Sequence, residues 1–270
     1  MLKRILFSLI TVCGVLLALQ ASAQEVMFAY KFEAGTTQRY RVKLSQEISF
    51  GENSVSQIAD LEVTLTCKSV ADGKASMEMV FDKADMMKEM FGNQSADPMA
   101  EALAGHGVTF SVDAHGNVEN VQQNGTYDGW DQIHPFVEPI VKGWFVDLPD
   151  QAYAPGGAWD TTQNKKSADG TDVKMTTHFK YKENKKEDDR NCASVTGDVE
   201  SKATGKSVNP MGTYNVDGTG KGKVEYLFDP ATQVIVKLKA KTNIDMNLTP
   251  AAGGDSVGTS VTYQLERELL

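Results

Sequence analysis

The sequence has few of the residues that usually build metal centres or nucleophilic active sites. Its four histidines stand apart, none within four residues of another histidine or of a cysteine: His106, His115, His134 and His178. A structural zinc site normally shows such close pairs. The Gly-x-Ser-x-Gly signature of a serine hydrolase is also absent. The sequence therefore predicts neither a metal nor another cofactor, and it contains no recognisable nucleophile.

Basic residues are in the minority. The chain has 27 Lys and Arg residues against 36 Asp and Glu residues, which gives a formal net charge of −9. A nucleic-acid-binding surface must neutralise phosphates with Lys and Arg side chains. We therefore expect no nucleic-acid partner, and we interpret the acidic balance as favouring solubility.

Long apolar runs are absent after the first 23 residues. At the start of the chain, Lys3 and Arg4 precede the apolar run Ile5–Leu19, and the small-x-small sequence Ala21-Ser22-Ala23 follows it. This order is typical of a cleavable export signal, and the run is shorter than the roughly 20 residues that span a bilayer. The sequence predicts a signal peptide at 1–23, cleavage after Ala23, and a periplasmic or secreted protein without a transmembrane segment after cleavage. Cleavage removes two basic residues, so the net charge moves from −9 to −11.

Cysteine is scarce, with three residues in the whole chain. Two of them, Cys67 and Cys192, remain after the predicted cleavage, and each lies in a predicted strand. An exported compartment permits disulfides. The sequence leaves two alternatives open, a Cys67–Cys192 bridge or two separate buried thiols.

Alternating apolar and polar residues dominate the rest of the chain. Tyr40, Val42 and Leu44 alternate with basic or polar residues, and the longest alternation runs from Val234 to Leu248. This period predicts β-strands with one buried face. About ten such strands exceed the common strand length, so they must bend. We expect a mainly β protein, a long curved antiparallel sheet or partial barrel, in a single domain at 24–270.

The interval Lys83–Trp159 has a different pattern. Methionines at helical spacing predict a short helix at 82–91, and Pro98 at a first helical position predicts another at 95–104. Alternation predicts a β-hairpin at 107–121, and an apolar stripe predicts a proline-interrupted helix at 133–145. We therefore expect a helical insertion, at about 83–104 and 126–147, whose short helices cover the sheet.

This insertion concentrates methionine and aromatic side chains. Methionine adapts to irregular apolar shapes, so a Met-rich surface suits variable hydrophobic ligands. The same residues are equally interpreted as the packing of helices on a sheet. The candidate ligand-binding residues are Met86, Met87, Met90, Phe91, Met99, Phe136, Ile140 and Trp144.

Several short motifs follow an early pair of long strands in a fixed order: 107–113 (GVTFSVD), 116–118 (GNV), 148–149 (LP), 155–159 (PGGAW) and 192–193 (CA). In this order they resemble a family of exported bacterial proteins that is classed as a domain of unknown function. The resemblance covers most of residues 24–270 and implies no activity or site residues. The expected architecture also looks similar to envelope lipid-carrier folds, in which a half-barrel covered by helices binds acyl chains, although a shared fold does not establish a function.

Three functions remain open from the sequence. The first is a non-enzymatic exported binding protein that holds a lipid, another hydrophobic ligand or an envelope protein between a concave sheet and a helical lid. The second is an envelope structural or interaction protein with a filled core and no ligand cavity. The third is a hydrolase that uses carboxylates, because paired acids cannot be recognised from spacing alone.

Overall fold

The structure is a computed structural model whose described residues are 25–51, 53–90, 92–125, 129–166, 170–209 and 212–270. The predicted signal peptide at 1–23, its cleavage site after Ala23, and Phe91 lie outside these residues.

Long strands make up most of the described chain, and eight of them have 13 to 20 residues. The elements in chain order are β1 (Val26–Met27), β2 (Thr37–Phe50), β3 (Asn53–Ala71), β4 (Lys74–Met90), β5 (Asn93–Ala96), α1 (Met99–Leu103), β6 (Gly107–Asp113), β7 (Val118–Asn124), α2 (Trp130–Lys142), β8 (Ala152–Tyr153), β9 (Ala158–Lys166), β10 (Thr171–Glu187), β11 (Arg190–Asn209), β12 (Gly212–Asp229), β13 (Val234–Pro250) and β14 (Val257–Leu269).

Twelve of the strands form one antiparallel sheet. Its order is β7-β6-β4-β3-β2-β14-β13-β12-β11-β10-β9, and β5 pairs with β4 beside this path. The two-residue strands β1 and β8 pair with each other in a separate small sheet. The prediction of a large, mainly antiparallel β fold is confirmed, and the sheet does not close into a barrel.

The alternation in β13 shows why these sequences form strands. Lys239, Lys241 and Asn243 are exposed on one face, while Leu238 is buried on the other. Successive side chains of a strand point to opposite faces, so the apolar positions share one face, which we call the inner face. The core forms on this face along the half of the strands that is nearest the Asp72–Gly73 and Asp229–Gln233 turns, here called the closed end.

The sheet curls around a short buried segment, Val26–Phe32. The Phe28 ring lies 5.2 Å from that of Trp159 in β9, and the Tyr30 amide donates to Ala114 O, just after β6, at 2.8 Å. In a flat sheet, the nine strand intervals between β6 and β9 would span about 43 Å. Residues two positions apart bridge only about 7 Å. The inner face is therefore strongly concave at the closed end.

Glycines on the inner face of β12 allow neighbouring strands to approach closely. A Cβ at Gly218 would lie 2.6 Å from Met246 Cγ, and a Cβ at Gly222 would lie 2.5 Å from the Lys241 carbonyl oxygen. Atoms of β13 thus occupy the space where β12 side chains would be. Glycine inside a strand commonly marks such a close approach.

Substituting one of these glycines tests the close approach. We expect Gly222→Ala to lower the free energy of unfolding by about 1–3 kcal/mol, because the methyl group meets backbone rather than a movable side chain. Gly258→Ala in β14 is the matched control, since a Cβ there has no neighbour within 4 Å. Urea unfolding of both variants measures the difference, and equal stabilities would contradict the account.

The predicted helix at 82–91 is wrong, because β4 continues to Met90. The pairing with β3 shifts between Glu62 and Val63, which leaves Asp82 as an extra residue in β4. Such a bulge changes which positions face inward. The buried neighbours on the inner face are Phe81 and Ala84, which are three positions apart instead of two. The sequence around the bulge therefore does not show a strict alternation. The predicted helix at 95–104 is limited to the five residues of α1.

Most of the stripe at 133–145 is helical, as predicted, but α2 spans Trp130–Lys142 and ends before Trp144 and Phe145. The predicted interruption is wrong, because α2 includes both prolines. Ile133, Val137 and Val141 are buried at a spacing of four residues, whereas Pro135 and Pro139 are exposed. A proline leaves the carbonyl four residues earlier without an amide partner. On the exposed side of α2 water can satisfy that carbonyl. No helix in the described residues is long and apolar enough to cross a bilayer.

Candidate functional site

The interior beneath α2 is filled with side chains. Val137, Val141 and Trp144 are buried against the sheet and the Val26–Phe32 segment. At the centre, the Phe28 ring contacts Tyr181 and Phe228 at centroid distances of 5.4 and 5.3 Å. A void of about 20 Å³ lies beside Arg267, which is room for about one water molecule. The covered half of the sheet therefore has a packed core rather than an acyl-chain cavity.

The other half of the inner face carries nine apolar residues that belong to no core cluster, and Thr242, Gln46, Gln57 and Lys88 are polar inner positions among them. We call these nine residues the open inner face; they are partly buried or exposed, and they comprise Ile48, Phe50, Val55, Met90, Ile244, Met246, Leu248, Val261 and Tyr263. They lie toward the turn at 250–256, here called the open end of the sheet.

Strand register makes the open inner face continuous. Val261 pairs with Ile48 on one side and with Ile244 on the other. Ile48 pairs with Val55, which in turn pairs with Met90. Five neighbouring strands at the usual spacing give an apolar row about 19 Å wide. The adjoining inner position on β12 is Gly220, so no side chain projects from the inner face next to Ile244.

Unequal lengths explain why this half is uncovered. The 17 residues of β13 extend about 56 Å, whereas the 13 residues of α2 extend about 20 Å. Buried side chains of α2 join the core cluster at the closed end. β13 therefore continues beyond its cover with the same apolar alternation, through Ile244, Met246 and Leu248.

The predicted ligand-binding residues do not form one site. Met86 is buried in the core, whereas Met87, the next residue of β4, is on the outer face and 41% exposed. Met90 lies on the open inner face. Met99, Phe136 and Ile140 pack partly buried on the core from α1 and α2. Trp144 is buried beside Arg267, and Phe91 lies outside the described residues.

The sequence analysis missed most of the open inner face as a candidate site. Ile244, Met246 and Leu248 were recognised as inward-facing positions of a long strand. Their exposure depends on how far α2 extends along the sheet. The alternation of residues within one strand carries no information about that. Arg267 was missed as well, although it follows Val261, Tyr263 and Leu265 at two-residue spacing and therefore occupies an inner position.

Of the two alternatives that the sequence left open for Cys67 and Cys192, the structure has two separate buried thiols and no bridge between them. Cys67 lies in the main core, whereas Cys192 packs with Leu227, Val234 and Val236 in a separate cluster. Their strands, β3 and β11, are five intervals apart in the sheet, far beyond the Cα separation of up to about 7 Å that a disulfide needs. Burial raises the pKa of each thiol, which lowers its reactivity.

Buried carboxylates do not pair in the described residues. Asp229 is buried, but it accepts hydrogen bonds from the Ala231 amide at 2.9 Å and the Thr232 hydroxyl at 2.7 Å, within the turn between β12 and β13. No group of three or more His, Cys, Asp or Glu residues in the described chain is arranged to hold a metal ion. This geometry gives the hydrolase interpretation no supporting pair of acids.

The sequence matches no protein-family model and no curated protein, so the resemblance to an exported family stays a prediction. A solved structure described as "Lipid-protein interactions in lipovitellin" aligns with 89% of this chain at a TM-score of 0.53 and 10% sequence identity. This chain shares the fold of part of lipovitellin. The aligned region is 25% of the lipovitellin chain. At this identity the likeness to lipovitellin concerns the fold alone.

Proposed function

We propose that this chain is a non-enzymatic exported binding protein that holds the acyl chain of a lipid on the open inner face. The observation that carries the proposal is the continuation of the apolar alternation beyond the cover. An apolar row crosses the strands on the concave face at Ile244, Val261 and Ile48, and each of these side chains is partly buried. On this proposal the ligand lies at the open end, whereas the sequence predicted it beneath the helices.

The size of the row suits an acyl chain. Each methylene group removed from water contributes about 0.8 kcal/mol, so eight methylenes contribute roughly 6 kcal/mol before the costs of immobilisation. The row is about 19 Å wide. It is therefore longer than an extended run of eight methylenes. Extended apolar surfaces on soluble monomers commonly mark interaction sites.

The fold comparison supports the same function class. Lipovitellin has the fold of this chain in part of its length, and its structure is described in terms of lipid–protein interactions. A shared fold is compatible with many functions, so the support lies in the combination of this fold with an uncovered apolar inner face.

Export is part of the proposal. Its support is the basic, apolar and small-residue order of residues 1–23. The mature protein begins at Gln24 on this account. The mass of the N-terminal peptide of protein isolated from its own host tests this start, and a retained leader would contradict it.

A second candidate function is an envelope interaction protein. The filled core beneath α2 favours it, because that packing leaves no enclosed cavity for a ligand. On this account a partner protein, rather than a lipid, covers the open inner face. The two candidates therefore share a surface and differ in the occupant.

Ligand binding distinguishes the two candidates. Titration of the mature protein with a dansyl-labelled fatty acid is expected to give saturable fluorescence enhancement, and organic extraction of host-derived protein is expected to yield stoichiometric lipid. Absence of both lipid and probe binding, together with a co-purified protein that protects β13 and β14 from hydrogen exchange, would favour the interaction protein.

A further inference from the structure

A buried positive charge lies at the closed end of the sheet, away from the open inner face. Arg267 is 4% exposed, on the inner face of β14. Six residues separate it from Val261, which corresponds to about 20 Å along the strand. Burying an ion without a counter-charge is strongly unfavourable. The surroundings of this guanidinium must therefore compensate for its charge.

Aromatic rings and one carbonyl group supply part of the compensation. The guanidinium carbon lies 4.7 Å from the centroid of the Trp144 ring and 5.4 Å from that of Tyr40, within the range of cation–π attraction. Arg267 Nη1 also donates a hydrogen bond to the Trp144 carbonyl oxygen. These contacts cover the guanidinium faces and one of its donors.

The charge and the donors of the Arg267 guanidinium are only partly compensated by these contacts. Arg267 Nε is buried without a hydrogen-bond partner. In the described part of the chain, no carboxylate forms an ion pair with Arg267. Burial lowers the pKa of Arg267 from its usual value, and the nearby Tyr40 and Tyr30 act in the opposite direction with a smaller effect. The hydroxyls of these tyrosines already bond elsewhere, Tyr40 to Gln38 and Tyr30 to Val146.

Arg267 lines a small void. Its volume is about 20 Å³, and its lining includes two basic residues, Lys31 and Arg267, but no acidic residue. Apolar and aromatic side chains form much of the remaining wall, among them Tyr40, Trp144 and Phe145. Thr36, Gln38 and Gln233 add polar groups to the wall. A positive charge and a donor without a partner are features that attract a small anion.

We propose that the void beside Arg267 binds a small, free monovalent anion. Arg267 Nε donates a hydrogen bond to the anion, and the guanidinium neutralises its charge. This site is separate from the open inner face, so it stands or falls independently of acyl-chain binding there.

Thermal unfolding in matched salts tests the anion site. At equal ionic strength and pH, we expect sodium chloride or sodium acetate to raise the Tm of the mature protein above its value in the bulky sulfonate HEPES. A hundredfold excess over Kd corresponds to a rise of about 5–10 °C.

Two variants make the result specific. Arg267→Met is expected to lose the dependence of Tm on the anion, whereas Arg41→Met, on the exposed face of the adjacent strand, is expected to keep it. Bromide-soaked crystals of the unsubstituted protein give a second measurement that does not depend on the variant folding. An anomalous peak beside Arg267 Nε is expected. Equal Tm values in all salts and no bromide at this position would overturn the proposal.

Discussion

Ile244→Lys is expected to weaken fatty-acid binding at least tenfold, and by as much as a hundredfold, while changing stability little. Ile244 lies at one end of the apolar row of the open inner face, between Val261 on β14 and Gly220 on β12. Losing the burial of one large aliphatic side chain costs about 1.5–3 kcal/mol, which is the same tenfold to hundredfold change in Kd. The position is half exposed, so the lysine ammonium can reach water. Titration with the dansyl-labelled fatty acid measures the Kd.

Asn243→Lys is the matched control for Ile244→Lys. Asn243 precedes Ile244 in β13, but its side chain lies exposed on the outer face. Both variants add the same charge to the same strand, so a general electrostatic effect on an anionic probe would appear in both. The account predicts that Asn243→Lys keeps the affinity of the unsubstituted protein. Equal affinities of the two variants would place the ligand elsewhere.

Phe28→Ala is expected to produce the largest loss of stability, about 3–5 kcal/mol. Phe28 is fully buried, and its ring packs between Trp159 of β9, Tyr181 of β10 and Phe228 of β12. It is the contact that holds the Val26–Phe32 segment inside the curled sheet. Total stabilities of proteins are about 5–15 kcal/mol, so this one change would remove a large part. Urea unfolding of the mature protein measures it.

Phe50→Ala provides the comparison for Phe28→Ala. Phe50 belongs to the open inner face and is 37% exposed, so truncation removes less buried area and leaves no closed cavity. Its expected cost is below about 1 kcal/mol. A cost for Phe28→Ala no greater than that for Phe50→Ala would show that the Val26–Phe32 segment does not hold the closed end together.

Strand alternation was the most reliable signal in this sequence. It predicted β13 over nearly its full length, because each inward position from Leu238 to Leu248 is apolar or small and most outward ones are polar. It failed in β4, where the extra residue Asp82 shifts the inward positions from Phe81 to Ala84. After the bulge, Met86 and Met90 lie on the inner face and Met87 on the outer face, so apolar residues on both faces imitate the spacing of a helix. A single-residue bulge is a feature of strand pairing, and pairing partners are not visible along one strand.

The candidate site was less predictable than the sheet. The sequence identified apolar residues such as Met86 and Trp144, but composition does not distinguish a packed core from an exposed surface. That distinction depends on how long the covering helix α2 is compared with the strands beneath it. The long alternations already require strands far longer than α2, and this mismatch is the signal by which the open inner face could have been found. The alternation in β14 also shows that Arg267 occupies an inner position.

Photo-crosslinking tests the central claim most directly, because it reports where a bound acyl chain lies. The mature protein is illuminated with a fatty acid that carries a diazirine near its methyl end, and the labelled peptides are identified by mass spectrometry. The account predicts labels on β2, β13 and β14 at Ile48, Ile244 and Val261, competed by unlabelled fatty acid. Labels confined to α2, or labels that unlabelled fatty acid does not reduce, would contradict it.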